Sequence, residues 1–115
     1  MAALAILERL YALIQERRKG DPDTSYIAKR LKQGTAKIAQ KMGEEAVETV
    51  IAAMEKDKRE IVAESADMIF HWLMLLADGG VTLEEVMKEL ERREGISGLD
   101  EKANRKALKR RATDV

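Results

Sequence analysis

Cysteine is absent from this 115-residue chain. That excludes disulfides, thiolate nucleophiles and any zinc or iron–sulfur site built on cysteine, and it suits a reducing, cytoplasmic setting. Proline occurs once and glycine seven times, and aromatic residues make up only 3%. No stretch alternates apolar and polar residues for long enough to read as a strand, so a β-rich fold is excluded. No sign of charge dominates either. Lys plus Arg and Asp plus Glu both number 21, so no global field draws the chain to nucleic acid or to an anionic membrane. The longest uncharged run, residues 68–77, is about half of a membrane span. The apolar opening from Met1 to Leu13 has no basic start and carries Glu8 and Arg9, unlike a signal peptide. A soluble protein without nucleic-acid or membrane partners is expected.

What the chain does have is Ala, Leu, Glu, Lys, Met and Arg in quantity, on a background of 45% hydrophobic residues. This is the composition of packed helices. We expect an all-α fold of about five helices. The first runs from Ala2 to Arg18, with Leu4, Leu7, Leu10 or Tyr11, and Ile14 turned inward. Gly20 and the Asp21-Pro22-Asp23-Thr24 turn follow. Ser25 caps a short second helix ending near Gln33-Gly34, with Tyr26, Ile27 and Leu31 inward. Thr35 is expected to cap the third helix, which continues to about Lys56. The fourth spans Arg59 to Ala77 and is closed by Asp78-Gly79-Gly80. Thr82 and Glu85 have the spacing of a capping box for the fifth, which Gly95 stops. We expect one domain over residues 1–96. The tail over 97–115, basic through Lys102, Arg105, Lys106, Lys109, Arg110 and Arg111, is weakly ordered or a docked helix.

Five acids stand out. Glu44, Glu45 and Glu48 fall on the third helix, and Glu64 and Asp67 on the fourth. At about 100° per residue, Lys37, Lys41, Glu44 and Glu48 share one stripe. Ile38, Met42, Ala46, Thr49, Val50 and Ala53 form an apolar arc beside it, with Glu45 at the border. On the fourth helix Glu60, Glu64, Asp67 and His71 make a polar stripe, with Val62, Ala66, Ile69, Phe70 and Leu73 largely opposite. Helices joined by a short turn pack antiparallel, which brings the two acid stripes face to face. Surface ion pairs at i, i+4 are the ordinary explanation of such spacing. Facing carboxylates, however, repel unless a cation lies among them. An oxygen-only donor set with a single histidine points to Mg²⁺ or Mn²⁺ rather than zinc. Lys37 and Lys41 then offer charge to phosphate oxygens. The combination suits metal-assisted hydrolysis of a phosphoanhydride. His71 reads as a hydrogen-bonded core or interface residue, and Phe70 and Trp72 as packing.

The spacing Glu44-Glu45-x-x-Glu48, fifteen residues, Glu64-x-x-Asp67 resembles the signature of the all-α, MazG-like nucleoside triphosphate pyrophosphohydrolases. Ser25-Tyr26, Gly34, the block from Lys37 to Glu48, Glu64-x-x-Asp67-x-x-x-His71, Gly80-Val81 and Arg92-Arg93-x-Gly95-x-Ser97-Gly98 are similar to the phosphoribosyl-ATP pyrophosphohydrolase family. Thr35-Ala36 departs from the Pro-Asp pair common there. The resemblance implies hydrolysis of 1-(5-phosphoribosyl)-ATP to phosphoribosyl-AMP and pyrophosphate, in histidine biosynthesis. It gives Glu44, Glu45, Glu48, Glu64 and Asp67 the catalytic, Mg²⁺-binding role, and Lys37, Lys41 and Arg93 contact with substrate phosphates. It also implies a homodimer. The alternatives are a house-cleaning enzyme for non-standard nucleoside triphosphates, and a non-enzymatic helical interaction dimer.

Overall fold

The computed structural model describes residues 5–96 and 98–113. Six helices and no strand occur among them: α1 (Ala5–Arg17), α2 (Tyr26–Lys32), α3 (Thr35–Met54), α4 (Lys58–Gly79), α5 (Leu83–Arg93) and α6 (Gly98–Thr113). The fold is all-α, as expected, and the basic tail supplies the sixth helix. Leu4, one of the residues expected to face inward, lies outside the described residues. The chain divides into two units, Met1–Leu83 and Glu84–Val115.

The first unit is built on the α3–α4 hairpin. Asp57 starts α4 by accepting the backbone N–H groups of Arg59 (3.1 Å) and Glu60 (3.3 Å), so two donors that no helical carbonyl can reach are satisfied. At the other end Gly80 adopts a left-handed φ of 71°. Gly80 N–H donates to the Ala77 carbonyl and Val81 N–H to that of Leu76, a Schellman ending that a side chain with a Cβ would strain. The start of α3 differs from expectation. Gly34 occupies the N-cap position without any side-chain cap. Thr35 stands inside the first turn, where its hydroxyl donates to Asp78 Oδ2 at 2.7 Å. The first turn of α3 therefore meets the last turn of α4, and the two helices run antiparallel.

α1 and α2 cover one end of this hairpin. Ile14, Ile38, Leu73 and Met74 are all at most 1% exposed, and each contributes about 1.5–3 kcal/mol through removal of apolar surface from water. Tyr11 donates its hydroxyl to the Val81 carbonyl at 2.7 Å, and Arg18 donates to the Ala77 carbonyl at 3.2 Å. Both bonds tie α1 to the end of α4. Ser25 caps α2 as expected, its Oγ accepting from Ala28 N–H at 3.2 Å. Ile27 is buried, whereas Tyr26 is 48% exposed and lies on the rim instead of inside.

The burial of α3 and α4 departs from the helical wheel. The inner stripe of α3 is Ile38, Met42, Glu45, Thr49 and Ala52, all buried or half-buried. Val50, expected inside, is 61% exposed; Val47, Ile51 and Met54 are also at least half exposed. On α4, Val62 is 70% exposed and Ile69 37%. Of the acids only Glu45 and Glu64 are drawn in, to half-buried positions, while Glu44, Glu48, Glu60 and Asp67 stay exposed and several apolar side chains stand outward.

α5 begins at Leu83, the last residue of the first unit, directly after Thr82 and close to the expected start, and its remainder belongs to the second unit. Glu89, Arg92 and Arg93 form an ion-paired cluster near its C-terminus, where positive charge also suits the helix dipole.

Candidate active site

α3 places Glu45 and Glu48 one turn apart, with Glu45 on the stripe that packs inward. α4 brings Glu64 to the same place. Carboxylate oxygens of Glu45, Glu48 and Glu64 lie within 4.8 Å of one another. Glu45 Oε2 and Glu64 Oε2 are buried without a hydrogen-bond partner. Burying an acceptor while leaving it unpaired is costly, so such atoms ask for a donor or a cation. The crowding is visible in the proton affinity of Glu64, which is pushed up to about 7. The cause is first a hydrogen bond with Glu48, then desolvation, then the negative charges of Glu48, Glu45 and Asp67.

The remaining acids are placed differently. Asp67 follows Glu64 by about one turn and is exposed, close enough for its charge to act on Glu64. Glu44 is not gathered into the cluster. Its carboxylate accepts from Gln40 Nε2 (2.8 Å) and Lys41 Nζ (3.2 Å). Gln40 first, then Lys41, with Lys37 adding charge, hold its carboxyl below the usual range. Lys41 is correspondingly raised, chiefly by its bond to Glu44. Lys37 and Lys41 are half-buried on the stretch of α3 that leads into the acids. Arg93 stands on α5, where its Nε donates to Glu89 at 2.9 Å.

Two features were not singled out from the sequence. Glu55 joins Glu60, already on the polar stripe of the fourth helix, and Glu48 and Glu64 around an open cleft of about 160 Å³, lined also by Ile51 and Ala52. A spacing signal for Glu55 existed, since it follows Glu48 by seven residues. The second is a hydrogen-bonded row across α2 and α4. Arg30 donates to the Tyr26 hydroxyl (3.2 Å), Tyr26 meets His71 Nε2 (3.1 Å), and His71 Nδ1 meets the Asp67 carbonyl (2.8 Å). A carbonyl only accepts, so His71 carries a proton on Nδ1, and its Nε2 is hydrogen-bonded to the Tyr26 hydroxyl. The ring, 7% exposed, is packed edge-on against Phe70 and Tyr26. With both nitrogens engaged, His71 acts in this structure as a buried tie and not as a ligand.

Comparison with known proteins follows the same residues. The protein-family model for phosphoribosyl-ATP pyrophosphohydrolase matches residues 7–94, a span holding all five acids, both lysines and Arg93. A protein of Erythrobacter litoralis named phosphoribosyl-ATP pyrophosphatase is 57% identical over 99 residues, covering 86% of this chain and 95% of the relative. Relatives of the same name from Novosphingobium aromaticivorans and Azospirillum brasilense are 58% and 53% identical. Those two alignments cover 87% and 90% of this chain, and 94% and 93% of the relatives.

Proposed function

The chain belongs to the phosphoribosyl-ATP pyrophosphohydrolase family, and from that premise we propose that it hydrolyses 1-(5-phosphoribosyl)-ATP to 1-(5-phosphoribosyl)-AMP and pyrophosphate, a step of histidine biosynthesis. The single observation that carries the site assignment is the convergence of Glu45, Glu48 and Glu64 with two buried, unpartnered oxygens. An all-carboxylate donor set of this kind fits a hard divalent cation, Mg²⁺ or Mn²⁺. Glu45, Glu48 and Glu64 would hold it, with Asp67 one turn further on. Glu44 would join them only by releasing Gln40 and Lys41. When bound, such an ion neutralises the crowded carboxylates and polarises phosphate oxygens.

The protein's own residues do the rest. Lys37 and Lys41 present positive charge to the polyphosphate, and Lys41 can trade its contact with Glu44 for a phosphate oxygen. The carboxylates of Glu45, Glu48 and Glu64 orient the water that enters from the open side of the cleft. That water's oxygen bonds to phosphorus, the bridging P–O bond breaks, pyrophosphate leaves, and a carboxylate oxygen accepts the proton. Arg93 is the weakest candidate for substrate contact, because its Nε is committed to Glu89.

We further propose that the outward apolar side chains of α3 and α4 meet a second copy of the chain. Val47, Val50, Ile51, Met54 and Val62 are too exposed and too many for a helical hairpin in water.

The test is a pyrophosphate-release assay with Mg²⁺ on phosphoribosyl-ATP and on a panel of nucleoside triphosphates. Turnover of phosphoribosyl-ATP is expected. Turnover of the panel alone would replace the proposal with a house-cleaning activity, and no turnover with no metal binding would leave a helical interaction module.

A further inference from the structure

The cation at Arg30 is not absorbed by the site described above. Arg30 is on α2, and its guanidinium is held on three sides. Nη1 donates to Gln33 Oε1 at 2.6 Å, Nη2 donates to the Tyr26 hydroxyl at 3.2 Å, and its carbon lies 5.0 Å from the Tyr26 ring centroid. Its Nε is buried with no partner, a cost of the kind found where a side chain is kept in place for a ligand. Each Nη has a second N–H, and no other described group takes it. Both hydrogen bonds lie at the surface, so the outer edge of the fork faces solvent.

Position decides what such a fork could bind. Tyr26 is fastened to His71, and His71 follows Glu64 by seven residues on α4. Two helical turns on one face amount to roughly 10 Å. On α3, Lys41 precedes Glu48 by the same seven residues, and the charge of Arg30 is felt there, opposing the rise that Glu44 causes in Lys41. His71 thus stands two turns from the acid cluster, and Arg30 is linked to it through the Tyr26 hydroxyl, with Lys41 at the same end of the hairpin. A phosphoribosyl nucleotide carries two anionic groups on opposite sides of its purine: the phosphate chain on one ribose and a single 5-phosphate on the other. The acids with Lys37 and Lys41 account for the first group only. A bidentate guanidinium set apart from them matches the second.

We propose that Arg30, fixed by Tyr26 and His71, receives the ribose 5-phosphate of phosphoribosyl nucleotides and so selects them over plain nucleotides. This assignment rests on the activity proposed above. Losing one charge-assisted, bidentate contact corresponds to a change of about 10- to 100-fold in binding.

The experiment compares phosphoribosyl-AMP with AMP as ligands, by calorimetry in Mg²⁺, for the wild type, Arg30→Ala, Arg30→Gln and Arg30→Lys. The wild type should bind phosphoribosyl-AMP about 10- to 100-fold more tightly than AMP. Arg30→Ala and Arg30→Gln should erase that margin while leaving AMP affinity within about twofold. Arg30→Lys should recover part of it, since it keeps the charge and loses the fork. In turnover of phosphoribosyl-ATP the same variants should raise KM and spare kcat. Helix content read by circular dichroism guards against misfolding, and Arg30→Gln serves if Arg30→Ala unfolds. Equal weakening of both ligands, or no change in either, would overturn the inference while the wild-type enzyme still turns over phosphoribosyl-ATP. Failure of the wild type to turn it over would instead sink the activity, and this inference with it.

Discussion

Thr35 and Asp78 are 43 residues apart in sequence and are joined by a 2.7 Å hydrogen bond from hydroxyl to carboxylate. This bond closes the open end of the α3–α4 hairpin, opposite the Asp57 turn, and so helps fix the register in which Glu45 and Glu48 face Glu64. Thr35 is exposed and Asp78 half-buried, and the bond lies at the surface, so solvent competes for it and the net contribution is about 0.5–1.5 kcal/mol. Thr35→Val keeps the shape and removes the donor. We expect a loss of that size in chemical denaturation, with a melting temperature lower by about 2–9 °C. An unchanged midpoint would mean that the bond adds nothing to the hairpin.

Glu48→Gln should remove one charged oxygen donor from the cluster and leave the helix intact, because Glu48 is exposed and glutamine is an equally good helix former. Mg²⁺ should raise the melting temperature of the wild type, as any ligand of the native state does. The variant should show little of this rise, along with a loss of most pyrophosphate release. Wild-type activity in Glu48→Gln would remove Glu48 from the site.

The fold class and the helices that carry all five acids were legible because 3.6-residue periodicity and caps are local. Ser25, Gly80 and the Thr82 start could be read from two or three residues each. What could not be read was which apolar arc faces inward. A wheel shows that Val50, Val62 and Ile69 are apolar, but not that they stand outward while Glu45 and Glu64 go in. The site reverses the usual preference for burying the apolar face, and a pattern rule based on that preference places Glu45 at the border. Tyr26 was misplaced for a related reason: its ring packs at the rim because its hydroxyl has a partner in His71, a contact 45 residues away that no local pattern carries.

Gly80 should not tolerate a side chain well. Its φ of 71° is left-handed, and a Cβ there would meet no atom within 4 Å. The penalty for Gly80→Ala is therefore conformational rather than steric crowding, about 1 kcal/mol. Equilibrium denaturation should show this loss without any effect on metal binding. A neutral or stabilising result would show that the α4 ending can relax away from the Schellman form.

The pH dependence of α5 is set by Glu89. Arg92 Nε and Nη2 donate to its carboxylate at 2.9 and 2.7 Å, and Arg93 Nε donates at 2.9 Å. These bonds, Arg92 first and Arg93 second, hold Glu89 at about 2 instead of the ordinary 4.5. A depressed folded-state value contributes stability that is fully present above pH 4.5 and is lost as pH falls toward 2. Stability of the wild type relative to Glu89→Gln should therefore be constant near neutrality and shrink across that window. A carboxyl carbon titration by NMR reads the same group directly. A midpoint near 4.5 would mean that the ion pairs are not held in solution.

The outward face of α3 and α4 gives the last expectation. Val50 is 61% exposed, Met54 78% and Val62 70%, on helices whose inner faces are already occupied by each other. Burying side chains of this kind against a second copy is favourable by roughly 25 cal/mol for each Å² removed from water. A lysine at the centre of such a seam would have to be desolvated twice, once per copy, in a twofold interface. Val50→Lys should therefore shift a dimer to monomer in light scattering, with helix content retained because the site is open to solvent in the single chain. Met54→Lys, at the end of the face, should do so less completely. If the wild type is already monomeric at micromolar concentration, the apolar face has another occupant. If Val50→Lys stays dimeric, the seam lies elsewhere on the molecule.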